Sequence, residues 1–326
     1  MTLLLSDADV RAVLDWRPAV DALRAAYAVA ADAARYPGRS IARGDGTWVR
    51  VLPGVPGDGA LMGTKIIAAV PRAGRVSYLI ALFDQATAEL VALLDGNSVT
   101  GYRTAATSAL AADLLAVPGP LTVGVLGSGF EADKHLRAIA TIRDVTSARV
   151  YSPRAASRER FAGQFAAAGF PVVPVASAEE AVGGASLVIC AARSRDEFPI
   201  LLGRWLASGM TVVSIGSTVP EQREVDPETI ARADVIVADV IAEVLHDTGD
   251  LIAARAAGSV ADGRVASLAD LVSGTFAGRK DEGQIALYKS VGSAVQDLAV
   301  AAMCVRAALD GGVGTQAPIP VEVVLK

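Results

Sequence analysis

Leu121-Thr122-Val123-Gly124-Val125-Leu126-Gly127-Ser128-Gly129-Phe130-Glu131-Ala132 is the stretch whose reading decides the fold. An apolar strand, LTVGVL, runs straight into G-x-G-x-x-A and then into a helix. Each small residue has a mechanical reason to be there. Gly127 permits a tight turn, Gly129 lets backbone approach a pyrophosphate, and Ala132 lets the helix pack close to the strand. The helix start at Phe130 and Glu131 offers unpaired N–H groups and the positive end of the helix dipole. Alone the motif is weak, because a glycine turn in a doubly wound domain can serve another ligand. Its context supplies the rest: ARVYS, PVVPV, SLVICAA, TVVSIG and DVIVAD follow, alternating with helical stretches. That order predicts a parallel sheet with right-handed crossovers. Gly127, Ser128, Gly129, Phe130 and Glu131 are therefore the expected phosphate-binding turn of a Rossmann domain.

The second strand ends at Val150-Tyr151-Ser152-Pro153-Arg154. An NAD site usually places Asp or Glu here for the ribose 2′-hydroxyl. Ser152 and Arg154, with Arg158 beyond, suit a 2′-phosphate better, since a hydroxyl and a guanidinium attract what a carboxylate repels. NADP(H) is favoured over NAD(H) on this reading. The plainer alternative makes Arg154 and Arg158 solvent-facing helix residues.

On the N-terminal side, residues Ser6 to Ala34 read as helical, with Ser6 or Asp7 as cap and Pro18 beginning a second helix as a first-turn residue. The runs WVRVLP, MGTKIIAAV, SYLIALFD and AELVALLD, broken by Gly, Pro or Asp, predict an antiparallel or mixed sheet from Ser40 to about Leu94. A helix is expected from Arg103 to Leu115, ended by Val117-Pro118-Gly119-Pro120. On the C-terminal side, Ala256 to Gly278 looks irregular, a long helix runs from about Lys289 to Leu309, and APIPVEVVLK reads as a last strand that returns to the first sheet. The expected architecture is α/β: a doubly wound parallel Rossmann sheet, residues 118–304, inserted in a mixed α+β substrate and dimerisation domain formed by 1–117 with 305–326.

Composition narrows the function. The chain has 326 residues, 52% of them hydrophobic, enough for two well-filled cores. A net charge of −5 without a basic stripe gives no case for nucleic acid. No apolar run approaches the roughly 20 residues of a membrane span. The N-terminus turns acidic too early for a signal peptide, so a cytoplasmic location is expected. Cys190 and Cys304 sit in apolar runs and read as core thiols. With His135 and His246 they offer no ligand spacing, so no metal is expected.

Two cations stand out. Lys65 lies inside an apolar strand, where it either snorkels to an edge or is kept for chemistry. Arg103 falls at the expected helix start, which is already positive, and is better explained by an anion than by helix stability. Around them are Gly63-Thr64-Lys65, Leu93-Leu94-Asp95-Gly96 with Val99-Thr100 and Arg103-Thr104-Ala105-Ala106, Ile215-Gly216 followed by Pro220 and Glu224, and Lys289-Ser290-Val291-Gly292 with Val295-Gln296-Asp297-Leu298.

With these motifs the chain resembles the ornithine cyclodeaminase/mu-crystallin family over nearly its whole length. The resemblance implies a homodimer whose first domain carries the dimer contact and much of the substrate pocket. It implies that Lys65 lies near the substrate carboxylate and reacting nitrogen, and that Arg103 serves both the carboxylate and the nicotinamide region. Arg39 matches a second carboxylate-binding arginine. Asp297 faces the active site, in a chemical role or in a structural one towards Lys65. Ser217 and Ser290 are placed near the cofactor. Two departures matter. Thr218 stands where the cyclodeaminases carry a catalytic aspartate, and Arg50 where an ornithine-binding member carries an acid. Arg50 is either a plain strand arginine or a site for a second anion on the substrate. Both changes argue against a substrate with a free side-chain amine.

The function expected is an NAD(P)H-dependent reductase of an α-imino acid, including a dicarboxylic one such as iminosuccinate. Lys65, Arg103 and Asp297 are its catalytic candidates, and Arg39, Arg50 and Thr218 its further substrate contacts. The rivals are a cyclodeaminase that releases ammonia from a diamino acid and a cofactor-dependent binding protein.

Overall fold

The computed structural model describes residues 1–29, 33–192, 198–260 and 263–324. They form two compact units, Met1–Thr107 with Ser293–Lys326, and Ser108–Gly292. The expected boundaries at 117/118 and 304/305 differ from this division. It falls inside the helix Gly96–Leu115 and just ahead of the helix Ala294–Gly311. The reason is that the last helix lies against the first unit's strands and its helix Trp16–Ala28, where Leu298, Val300, Ala301, Cys304 and Val305 are buried.

In the first unit, Thr2–Leu5 (β1), Ser40–Gly44 (β2), Thr47–Gly54 (β3), Leu61–Val70 (β4), Arg75–Asp84 (β5) and Leu90–Asp95 (β6) join a C-terminal strand, Thr315–Ala317. The order is Thr315–Ala317, β1, β6, β5, β4, β3, β2. Only β1 and β6 run parallel, so the sheet is mixed, as its alternating pattern suggested. Strict alternation in β4 buries Lys65, Ile67 and Ala69 on one face. In register with them on that face are Leu52 and Arg50 of β3 and Ile80 and Tyr78 of β5. The opposite face carries Val49, Val51, Ile66, Ala68 and Leu79, with Val49 42% and Leu79 41% exposed.

The N-terminal helical stretch is two helices, Asp7–Val13 and Trp16–Ala28, the second with Pro18 in its first turn as expected. Several other expectations are corrected here. The strand β1 precedes these helices. Ser6 caps the first in a capping box with Asp9. The second ends at Ala28, and residues 33–35 form a turn; Ala30, Ala31 and Asp32 lie outside the described residues. The helix expected from Arg103 begins at Gly96, so Arg103 sits in its third turn and not at its start. Asp95 Oδ1 accepts the Asn97 N–H (2.8 Å) and Asp7 Oδ1 the Ser98 N–H (3.2 Å), which closes the first turn early. The dipole argument for Arg103 therefore fails. Residues 318–324 are not strand, because Pro318 and Pro320 have no N–H for a ladder.

The second unit is an eight-stranded, wholly parallel sheet: Leu121–Leu126 (β7), Val145–Tyr151 (β8), Val172–Pro174 (β9), Leu187–Cys190 (β10), Thr211–Ser214 (β11), Val235–Ala238 (β12), Val265–Ser267 (β13) and Ala286–Lys289 (β14). Its order is β13-β12-β14-β11-β10-β7-β8-β9. The order reverses between β7 and β10, the switch point where doubly wound folds bind ligands beyond the strands' carboxyl ends.

Sequence reading missed β13 and β14. Lys289 ends a strand and does not open a helix. Gly292, at φ +85°, then breaks the chain before the helix starts at Ala294. The glycine-rich stretch holds the helix Leu268–Ser273, capped by Ser267. Cys190 and Cys304 are fully buried. No helix among the described residues is long and apolar enough to cross a membrane.

Candidate active site

In the first unit three ionisable side chains meet out of water. Lys65 Nζ donates to Asp297 Oδ1 at 2.7 Å. Arg103 Nε lies 2.9 Å from the same oxygen, pairing charge without hydrogen-bond alignment. Arg103 Nη1 donates to Gln296 Oε1 (2.5 Å), and Gln296 Nε2 donates to the Tyr27 hydroxyl (2.9 Å). Lys65, Arg103, Gln296, Asp297 and Tyr27 are all buried. Local structure explains the convergence: β4 points Lys65 at the last helix, whose first turns present Gln296 and Asp297, and the helix Gly96–Leu115 supplies Arg103.

Two cations thus share one carboxylate. An ammonium has three protons, and Lys65 uses one of them on Asp297. Arg103 Nε and Asp297 Oδ2 likewise take no hydrogen-bond partner among the described residues. Such unpaired donors and acceptors are costly to bury unless a ligand meets them. Lys65 is brought down to about 8: burial lowers it most, the Asp297 carboxylate opposes this, and Arg103 and then Arg50 add to the lowering. Arg50 is half-buried, its guanidinium 5.1 Å from the centre of the Trp48 ring. Arg39 is half-buried immediately before β2. Gln296 and Tyr27 had no role in the sequence reading. A glutamine beside an aspartate in an apolar helix was the available signal.

In the second unit the glycine turn has the expected form. Gly127 is at φ +118°, and a Cβ there would lie 2.6 Å from the Ala191 carbonyl oxygen. A Cβ on Gly129 would meet nothing within 4 Å. Gly129 caps the helix Phe130–Ile142 without any side-chain hydrogen bond. Open space above backbone N–H groups at a helix start is what a pyrophosphate needs. Ser128 and Glu131 are half-buried, Phe130 is exposed and Ala132 is fully buried. His135 is internal, with Nε2 2.9 Å from Ser108 Oγ and Nδ1 2.7 Å from the Glu131 carbonyl. At the end of β8, Ser152 is buried, Arg158 Nη1 donates to its carbonyl (3.0 Å), and Arg154 is exposed. Arg158 is thus tied down, and Arg154 is the arginine open to a ligand. Ser217 is buried and donates to the Gln222 carbonyl, while Thr218 is half-buried beside Gln222. Ser290 donates to Asp239 (2.7 Å), which also accepts the Gly292 N–H (2.7 Å).

The ornithine cyclodeaminase/mu-crystallin family profile matches residues 3–312. This chain belongs to that family. Among its curated relatives is an uncharacterized cyclodeaminase of Sinorhizobium fredii, 32% identical over 225 residues, 68% of this chain and 67% of that protein. Another is a Delta(1)-pyrroline-2-carboxylate reductase of Bacillus cereus, 29% identical over 271 residues, 81% of this chain and 82% of that protein. Among solved structures, the Thermococcus litoralis Delta(1)-pyrroline-2-carboxylate reductase, in complex with NADH and L-proline, has a TM-score of 0.88 and 28% identity. The match covers 97% of this chain and 100% of that one. The fold of this member is accordingly that of a nicotinamide-dinucleotide-binding family.

Proposed function

We propose that the protein is an NAD(P)H-dependent reductase of a small α-imino acid, an oxidoreductase acting on C–N bonds. The observation that carries this reading is the buried Lys65–Asp297–Arg103 group, with two cations on one carboxylate and donors left for an anionic ligand. The reductases among its relatives support it. The glycine turn, with its open helix start, fits a dinucleotide; Gly127, Ser128, Gly129, Phe130 and Glu131 would hold the pyrophosphate. Ser152 and Arg154 would meet the adenosine ribose, and Ser217 and Ser290 are further cofactor contacts.

Arg103, with Arg39, binds the substrate α-carboxylate, its fork held by Asp297 and Gln296. Lys65, protonated at neutral pH, stabilises or relays a proton at the imine nitrogen. Asp297 keeps that lysine charged in spite of its burial. Bound nicotinamide supplies the hydride for the imine carbon. Exclusion of water strengthens each of these charge contacts.

The test is NAD(P)H oxidation with 2-oxo acids plus ammonia or methylamine and with preformed cyclic imines, alongside ammonia release from ornithine, lysine and 2,4-diaminobutyrate. Reduction of at least one imino acid is expected, with no ammonia release. Thr218 is a poor proton acceptor where a lyase needs one, and Glu221 beside it is exposed. Steady ammonia release would establish the lyase instead, and ligand binding without turnover would establish a binding protein. Within the same panel, Arg50→Ala should raise KM for a dicarboxylic substrate far more than for a monocarboxylic one. Equal losses would leave Arg50 as a plain strand arginine.

The cofactor preference rests on Ser152 and Arg154. NADPH should bind more tightly than NADH, and Arg154→Ala should weaken NADPH alone by about 1.5–3 kcal/mol. Equal affinities for both cofactors before and after the change would reverse this preference. We also infer a homodimer formed through the sheet face of Val49, Val51, Ile66, Ala68 and Leu79, which is apolar and open. Leu79→Asp should give monomers in sedimentation, and an unchanged dimer would move the interface elsewhere.

A further inference from the structure

The second unit contains a buried ionisable ring with no part in the chemistry above. Ser214, Glu224, Asp250 and Lys289 are all fully buried. Lys289 Nζ donates to Ser214 Oγ (3.0 Å) and pairs with Asp250 Oδ2 (2.8 Å). Asp250 Oδ1 accepts the N–H groups of Glu224 (2.6 Å) and Val225 (3.1 Å). Ser214 Oγ donates to Glu224 Oε2 (2.8 Å), which closes the ring.

The Glu224 carboxylate reaches two loops. Its Oε1 accepts the Ala192 N–H and its Oε2 the Gly216 N–H, both at 2.8 Å. Ala192 follows β10 and Gly216 follows β11. Gly216 leaves no room for a side chain, since a Cβ there would lie 2.3 Å from Glu224 Oε1 and 2.6 Å from the Ala192 carbonyl oxygen. Ala191 and Ala192 also abut the glycine turn, where the Ala191 carbonyl oxygen closes over Gly127. One buried carboxylate therefore ties Ala192 to Gly216 at the carboxyl edge of the sheet, beside its switch point.

We propose that Glu224 is a positioning residue for the cofactor, whose ionised carboxylate holds Ala191–Ala192 after β10 and Gly216 after β11 in the form that a nicotinamide dinucleotide binds. The proposal rests on the cofactor reading above. Glu224 acts through Ala192 and Gly216. An ionised carboxylate only accepts, and three donors converge on it. Protonation removes the charge and sets a fourth hydrogen among those three, so the contacts weaken. The charged and titratable groups facing Glu224 are Lys289 on β14, Asp250 on the helix Gly249–Ala256 and the Cys190 thiol on β10, which burial keeps protonated. Glu224 is lifted to about 7: burial raises it most, Lys289 opposes this, Asp250 adds to the rise, and the Gly216 and Ser214 hydrogen bonds pull it down. The clamp is thus complete above neutrality and loosens as pH falls.

The experiment is NADH binding by fluorescence from pH 6 to 8.5, with amide hydrogen exchange at Gly216 in the cofactor-free protein. NADH is the probe because a 2′-phosphate titrates near about pH 6 itself. In the wild type the NADH dissociation constant should rise roughly tenfold between pH 8 and 6, with its midpoint near 7. Glu224→Gln, which has one acceptor oxygen and no charge, should show the weaker affinity at every pH and faster Gly216 exchange at pH 8. Ser214→Ala removes a donor that lowers the Glu224 value, so its midpoint should move to higher pH; it decides the matter if Glu224→Gln does not fold. NADH binding that ignores pH, or a Glu224→Gln variant with wild-type affinity and exchange, overturns the proposal alone. Failure of the wild type to bind NADH or NADPH at any pH overturns the cofactor reading and the proposal with it.

Discussion

Lys65→Met should lower kcat by about 10²–10⁴-fold, the range expected when a positioned acid is lost, while NADPH binding stays at its wild-type value. The ammonium is buried, holds a single hydrogen bond among the described residues and is brought down to about 8 by its surroundings, so it carries its proton at neutral pH yet can part with it. Methionine fills the same space without the charge. Asp297 keeps its pairing with Arg103 in this variant, and the fold should be little affected. The wild-type rate should fall as pH rises through about 8, because the lysine is protonated below that value and neutral above it. Pre-steady-state turnover and a cofactor titration separate the two quantities. Wild-type kcat in the variant would make Lys65 a packing residue that happens to be charged.

Asp297→Asn should cost stability as well as rate. The carboxylate is the common partner of two buried cations, and an amide leaves both without a counter-charge. Breaking a buried pair by removing one partner typically costs about 3–5 kcal/mol, far more than the pair contributes when intact. Urea unfolding would measure the loss. The same change should move the alkaline limb of the rate profile to lower pH, because Asp297 is the group that holds Lys65 up against burial. A variant with wild-type stability and an unmoved profile would mean that Asp297 is not the counter-ion of this site. Restoration of both by Asp297→Glu would strengthen the assignment.

The Rossmann unit was legible because its information is local. A strand of buried residues, a turn that only glycine tolerates at φ +118° and a helix packed on Ala132 lie within twelve consecutive residues, and strand–helix alternation repeats the signal down the chain. Lys65 was also visible, as a charge at a position where alternation demands an apolar side chain. What sequence could not give was the partner of each polar residue. Arg103 was noticed for a helix start that lies seven residues earlier, where Asp95 and Asp7 close the first turn. Lys289 reads as helical because a four-residue strand buried on both faces has no period by which to tell it from a helix.

Glu224, Asp250, Lys289 and Ser214 come from four separate segments. Nothing in their spacing says that they share one dry ring. By itself the sequence determined the two kinds of sheet, the phosphate-binding turn and the presence of misplaced charges, because period, glycine and buried charge act over a few residues. Only the tertiary structure decided which carboxylate answers which cation, because those contacts join residues up to 232 positions apart and their energy exists only once water has been excluded.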